Sequence, residues 1–93
     1  MILEIVSPEA TLFHGNVTSV TVPGVDGEFQ MLNNHAPIVS ILGNGMVKFE
    51  GVNLKIDDSF QKMFTAISNS TFGLPISSGT IELNNNKVII LAD

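Results

Sequence analysis

Thr80-Ile81-Glu82-Leu83-Asn84-Asn85-Asn86-Lys87-Val88-Ile89-Ile90-Leu91 decides the fold class. In its first part Ile81 and Leu83 fall on one side of an extended chain and Thr80 and Glu82 on the other, because side chains alternate across a strand. The three Asn supply a turn, since their side chains hydrogen-bond nearby backbone and tolerate left-handed geometry. Lys87 to Leu91 is then apolar on both faces, which predicts a strand placed centrally and covered on each side. Met46 to Glu50 alternates in the same way, with Val47 and Phe49 on one side and Met46, Lys48 and Glu50 on the other, after a tight reversal expected at Gly43-Asn44-Gly45. Leu54-Lys55-Ile56 repeats the alternation.

Between these segments Phe60, Met63, Phe64 and Ile67 fall at i, i+3, i+4 and i+7 behind Asp57-Asp58-Ser59, a spacing that an amphipathic helix with an N-terminal cap would also produce. Lys62 to Ile67 and Thr71 to Ser77 instead flank the turn residues Ser68-Asn69-Ser70, and the rest of the composition favours that hairpin. Toward the N-terminus, Ile2 to Val6 reads as a strand stopped by Ser7-Pro8-Glu9, because Pro8 has no N–H for a ladder. Thr11 to His14 follows, a turn is expected at Gly15-Asn16, and Val17 to Val22 runs to Pro23-Gly24. The loop Val25-Asp26-Gly27 leads into strands at Glu28 to Leu32 and Pro37 to Leu42, linked by Asn33-Asn34-His35.

The composition agrees with an all-β reading. Nine Val, ten Ile and six Thr stand against four Ala, and Cβ-branched residues suit a pleated, half-buried surface. Eight Gly, four Pro and nine Asn place turn residues at short intervals, as in a small sandwich or barrel. With 44% apolar and 14% charged residues in 93, the chain suits one small domain that buries roughly 60 to 65% of its unfolded surface.

Four Lys, no Arg and nine acidic residues give a net charge of −5. Lys48, Lys55, Lys62 and Lys87 are scattered singly, so the clustered cations that nucleic acid or an anionic membrane surface requires are missing. The longest apolar run, Val88 to Ala92, is five residues, far below the roughly 20 that span a bilayer. The start Met1-Ile2-Leu3-Glu4 lacks a basic leader, which favours the cytoplasm. There is no Cys, hence no disulfide framework or thiolate chemistry.

His14 and His35 are the two histidines and lie 21 positions apart without a helical-spacing partner, a poor metal set. His35 beside Glu28 reads first as a loop residue bonded to backbone, not as a base. Gly24-Val25-Asp26-Gly27 is followed by no Lys-Ser/Thr and opens a strand, so it is no phosphate cradle. We therefore expect no catalytic, cofactor-binding or metal-binding residues, and no cofactor.

The residues Leu3-Glu4-Ile5-Val6-Ser7-Pro8-Glu9, Leu12-Phe13-His14-Gly15, Ser19-Val20-Thr21-Val22-Pro23-Gly24-Val25-Asp26-Gly27-Glu28-Phe29 and Leu32-Asn33-Asn34-His35-Ala36-Pro37-Ile38-Val39-Ser40 occur in an order that carries a resemblance. Ser78 to Leu83 and Asn86 to Asp93 add a second part. Together they resemble the amino-terminal domain of the epsilon subunits of bacterial F-type ATP synthase, over about two thirds of the chain.

That resemblance implies a flattened sandwich of two five-stranded sheets forming a single domain over 1–93, with an insertion at about Gly51 to Thr71. It implies a non-catalytic rotor subunit at the foot of the central stalk, bound to gamma and to the membrane ring of c subunits and only indirectly to the alpha/beta hexamer. One apolar face and the edge strands would meet gamma. The implied location is peripheral, on the cytoplasmic face of the bacterial inner membrane. The ring-facing residues would be Val25, Asp26, Gly27, Glu28 and Phe29, with Glu28 at the family's acidic position and a basic ring loop as its partner. Pro23, Gly24, His35, Ala36 and Pro37 would shape the loops or touch gamma. Gln30 and Asn33 depart from the Gly and Pro common at those places, and the two-helix hairpin of many members is not present after Asp93, which implies coupling without a helical brake. The alternative class is a free-standing β-sandwich binding module, against which the absence of Trp and Tyr counts.

Overall fold

Asn85 and Asn86 take φ of 50° and 60°, so the chain reverses in two residues and Asn84 pairs directly with Lys87. Positive φ at both central residues is the signature of the primed turns whose twist matches that of the flanking strands. The computed structural model describes all of residues 1–93 and contains ten strands. They are β1 (Ile2–Val6), β2 (Thr11–Asn16), β3 (Ser19–Gly24), β4 (Gly27–Leu32), β5 (Ile38–Leu42), β6 (Gly45–Glu50), β7 (Thr65–Ala66), β8 (Thr71–Ile76), β9 (Gly79–Asn84) and β10 (Lys87–Ala92). β1 and β10 run parallel, and the remaining pairs are antiparallel.

The hydrogen-bonded order is β2-β1-β10-β9-β5-β3-β6-β8-β7, with β4 on the other side of β3. One pair, Gly24 with Leu42, joins β5 to β3. On either side of that seam lie two five-stranded leaves, β2-β1-β10-β9-β5 and β4-β3-β6-β8-β7, so the expected sandwich is a single ladder curled over itself. Nineteen buried apolar residues form one core between the leaves. Leu3, Ile5, Ile81 and Ile90 come from the first leaf, and Val20, Met31, Val47 and Phe49 from the second. Phe13 of β2 meets Phe49 of β6 with ring centroids 4.6 Å apart, a contact that ties leaf to leaf. No polar side chain is buried.

The segment after β6 closes the side of the sandwich opposite the seam. Leu54, Ile56, Phe60 and Phe64 are half-buried against the core, and Phe64 meets Phe49 edge-on at 6.0 Å. The hairpin reading of this region holds in shortened form, because only Thr65–Ala66 of the expected first strand pairs with β8. The helical spacing produces one 3-10 turn, Gln61–Met63, and the Asp57 carboxylate accepts the Ser59 N–H (2.8 Å) in the loop before it. Leu54 and Ile56 pack without any ladder partner, so their alternation reflects burial of two side chains on a loop.

Three further expectations are corrected. Gly15-Asn16 is not a turn but the end of β2, and Gly15 is there because a Cβ would stand 2.9 Å from the Phe13 ring. Gly43–Gly45 does not make a hairpin, since β5 pairs with β9 and β6 with β3 and β8; it carries the chain from one leaf to the other. β10 is central in its leaf, as expected, but only one of its faces is covered: Val88 and Ile90 are buried, whereas Leu91 is exposed.

Candidate functional site

β3 and β4 form a hairpin whose register pairs Gly24 with Gly27, leaving Val25-Asp26 as a two-residue turn. Gly27 has φ +127°, a region that L side chains rarely adopt. Gly24 is required by space, since a Cβ would lie 2.7 Å from the Gly27 carbonyl oxygen and 2.9 Å from the Phe29 ring. Gly27 is the one glycine of the chain at positive φ.

The turn and its exit are exposed at Val25, Asp26, Gly27 and Glu28. Phe29 is half-buried and packs against the core, so only part of its side chain is presented beside the turn. The Glu28 carboxylate lies 3.3 Å from Lys48 Nζ, across β3 on the outer face of the second leaf. Gln30, on the same face, donates from Nε2 to Thr21 Oγ1 at 3.3 Å.

Pro23 sits where β3 changes partners, from β6 at Ser19–Thr21 to β5 at Gly24. Its carbonyl accepts the Gly43 N–H at 2.8 Å, and a strand residue's N and C=O point to the same side. The missing donor is therefore on a side where no ladder runs at that residue. His35, Ala36 and Pro37 are exposed at the other end of β4, about 3.4 Å per residue along the six-residue strand Gly27–Leu32. The structure thus keeps Pro23 and Gly24 with the turn and separates His35–Pro37 from it. His35 Nδ1 lies 2.7 Å from the Ala36 carbonyl oxygen, and its backbone N–H donates to the Leu32 carbonyl. The Asn34 N–H donates to Asn86 Oδ1 at 2.8 Å, tying this loop to the β9–β10 turn. Both contacts of His35 stay within residues 32–36.

A second surface was foreseen as an apolar face but without residues. The register aligns Ile41, Thr80, Leu91 and Val6 across β5, β9, β10 and β1, with Val39, Glu82, Ile89 and Glu4 in the next row. Val39 is 82% and Ile41 63% exposed, which makes this outer face of the first leaf the main apolar surface open to a partner. The signal in the sequence was β10, apolar on both faces with only one covered from within.

A groove of about 570 Å³ lies between the 54–64 segment and β7–β8, floored by Leu54, Ile56, Phe64 and Phe72 with Lys55 at its rim. Asp58 on the same rim accepts from Gln61 Nε2 at 3.0 Å. No three His, Asp or Glu residues come together as a ligand set, and no helix is long and apolar enough to cross a membrane.

The surfaces this small β-sandwich presents are a glycine-framed acidic turn and an apolar sheet face. The profile of the family described as "ATP synthase, Delta/Epsilon chain, beta-sandwich domain" matches residues 1–61, and the chain belongs to that family. It is 37% identical over 91 residues to an ATP synthase epsilon chain of Chlorobium limicola, covering 98% of this chain and 86% of the relative. An ATP synthase epsilon chain of Campylobacter concisus is 35% identical over 91 residues, but the chain spans only 59% of its length. Among solved structures, a chain in the central stalk/c-ring structure of the Tetrahymena thermophila mitochondrial ATP synthase superposes with a TM-score of 0.72 at 12% identity, covering 99% of this chain and 62% of the other. A chain in the Euglena gracilis mitochondrial ATP synthase gives 0.72 at 22% identity, with 99% and 49% coverage. These two likenesses show the shared fold.

Proposed function

We propose that this domain is a non-catalytic rotor element of F-type ATP synthase that links gamma to the membrane ring and couples proton translocation to ATP synthesis. The observation that carries the proposal is the 37% identity to an ATP synthase epsilon chain across nearly the whole chain. The surfaces support it. The Val25–Glu28 turn is an exposed acidic projection suited to the polar loops of the ring. The Val39, Ile41 and Leu91 face offers an exposed apolar patch whose burial would support a stable contact with gamma. Its contact with the alpha/beta hexamer is indirect, through gamma. In this reading the domain works peripherally on the cytoplasmic face of the bacterial inner membrane, and the whole of 1–93 is one domain in which residues 51–71 are an addition closing the sandwich.

The test is co-purification of the tagged chain from membranes of its own cells, with mass identification of what accompanies it. Gamma and the ring subunit are expected in comparable amounts. Recovery of the chain alone, while the synthase remains intact, would overturn the proposal.

A further inference from the structure

Residues 1 and 2 are built into one end of the sandwich. Met1 is 7% exposed, its carbonyl accepts the Val17 N–H at 2.8 Å, and the Ile2 N–H donates to the Asn86 carbonyl at 3.1 Å. The α-ammonium of Met1 donates to Asn16 Oδ1 at 3.2 Å and to Asn33 Oδ1 at 2.8 Å. Both acceptors are neutral, and no carboxylate pairs with this cation, since the one ion pair of the molecule is Lys48 with Glu28. Asn16 ends β2 and Asn33 begins the loop between β4 and β5, so a single charged group joins segments 15 and 32 residues away. The same loop is tied to the β9–β10 turn by the Asn34 N–H on Asn86 Oδ1. Asn33 thereby supplies an acceptor that the Pro common at that place does not have.

We propose that the Met1 α-amino group is a modification-sensitive lock on this end of the molecule. Free and charged, it holds the 33–37 loop to the end of β2; acylated, it releases that loop. In acylation the ammonium gives up one proton and its nitrogen attacks the carbonyl carbon of an activated acyl donor such as a thioester, whose leaving group departs with a second proton. The product amide is neutral and keeps one N–H, so two Asn oxygens compete for one weaker donor. One of them loses its partner. A hollow of about 290 Å³ bordered by Met1, Asn16, Asn33 and Val52 gives the acyl group space, so the effect comes from lost hydrogen bonds and not from a clash.

The experiment compares the full 93-residue chain carrying a free Met1 amine with the same chain acetylated at Met1 alone, both made by chemical synthesis, by native-state amide hydrogen exchange. Acetylation is expected to speed exchange of the Asn34 and His35 N–H groups by about three- to tenfold, the range of one hydrogen bond. The Gly43 N–H, bonded to Pro23 at the opposite end of the sandwich, is expected to be unchanged. Asn33→Ala with a free amine is expected to reproduce the faster exchange, and acetylating that variant to add less than it adds to the parent, because both changes remove the same bond. A structural role of Asn33 apart from the amine would make the two changes additive. Parent-like exchange in the acetylated chain, full additivity, or equal acceleration at Gly43 overturns the proposal. If the acetylated parent does not fold, Asn33→Ala carries the test: parent-like exchange at Asn34 and His35 overturns the lock, and acceleration confined to them supports it.

Discussion

Gly27 shows how one residue sets the geometry of the docking turn. At φ +127° a side chain is strained whatever the space around it, so Gly27→Ala is expected to destabilise the domain by about 1–2 kcal/mol. The urea midpoint measures the loss. Gly15 has the opposite reason for being glycine: it leaves room for the Phe13 ring, which in turn stacks on Phe49. Phe49 also meets Phe64 and Phe72, at 6.0 and 6.2 Å, and is the residue through which both leaves and the closing segment touch. Phe49→Ala is expected to cost about 3–5 kcal/mol, a large part of the roughly 5–15 kcal/mol available to a small domain. Chemical denaturation would show it as a lowered midpoint. In the sequence both glycines read as turn residues. That was right for Gly27 and wrong for Gly15, because the demand at Gly15 comes from a ring two residues away on the same strand face.

Among the elements, the β9–β10 hairpin is the best specified locally and the 51–64 segment the least. The hairpin turn needs left-handed backbone at Asn85 and Asn86, and Asn86 also accepts the Asn34 N–H. Asn86→Gly keeps the backbone and loses the side-chain bond, whereas Asn86→Ala loses both. The alanine variant is therefore expected to be less stable than the glycine variant by about 1 kcal/mol, read from paired thermal melts. The 51–64 segment was legible as apolar spacing but not as shape. Phe60, Met63, Phe64 and Ile67 fit a helix on paper, yet Phe60 and Phe64 are claimed by the open side of the core, while Met63 and Ile67 are left exposed. Tertiary burial outweighs the weak preference of a short helix, which gains little by itself.

Across the whole molecule, two surfaces stand out against a chain of net charge −5: the acidic turn and the apolar outer face of the first leaf. The leaf face is uncovered by any element of the chain, although β10 contributes apolar residues to it. Ile41→Lys is expected to leave the melting temperature nearly unchanged, since Ile41 is 63% exposed, while abolishing co-purification of gamma. Retention of gamma by that variant would move its contact elsewhere.

Most strand positions, the β9–β10 turn and the inward faces of β6 and β9 follow from local chemistry: period-two alternation, Cβ branching, and turn residues at close intervals. The resemblance to its family was equally local, carried by motifs along the chain. What tertiary structure alone decided is non-local. The single pair Gly24–Leu42 curls one ladder into two leaves. Lys48 reaches Glu28 across β3, and Phe64 reaches Phe49 across the open side. Each depends on strand pairing or packing between residues far apart in sequence, a constraint that no spacing along the chain records.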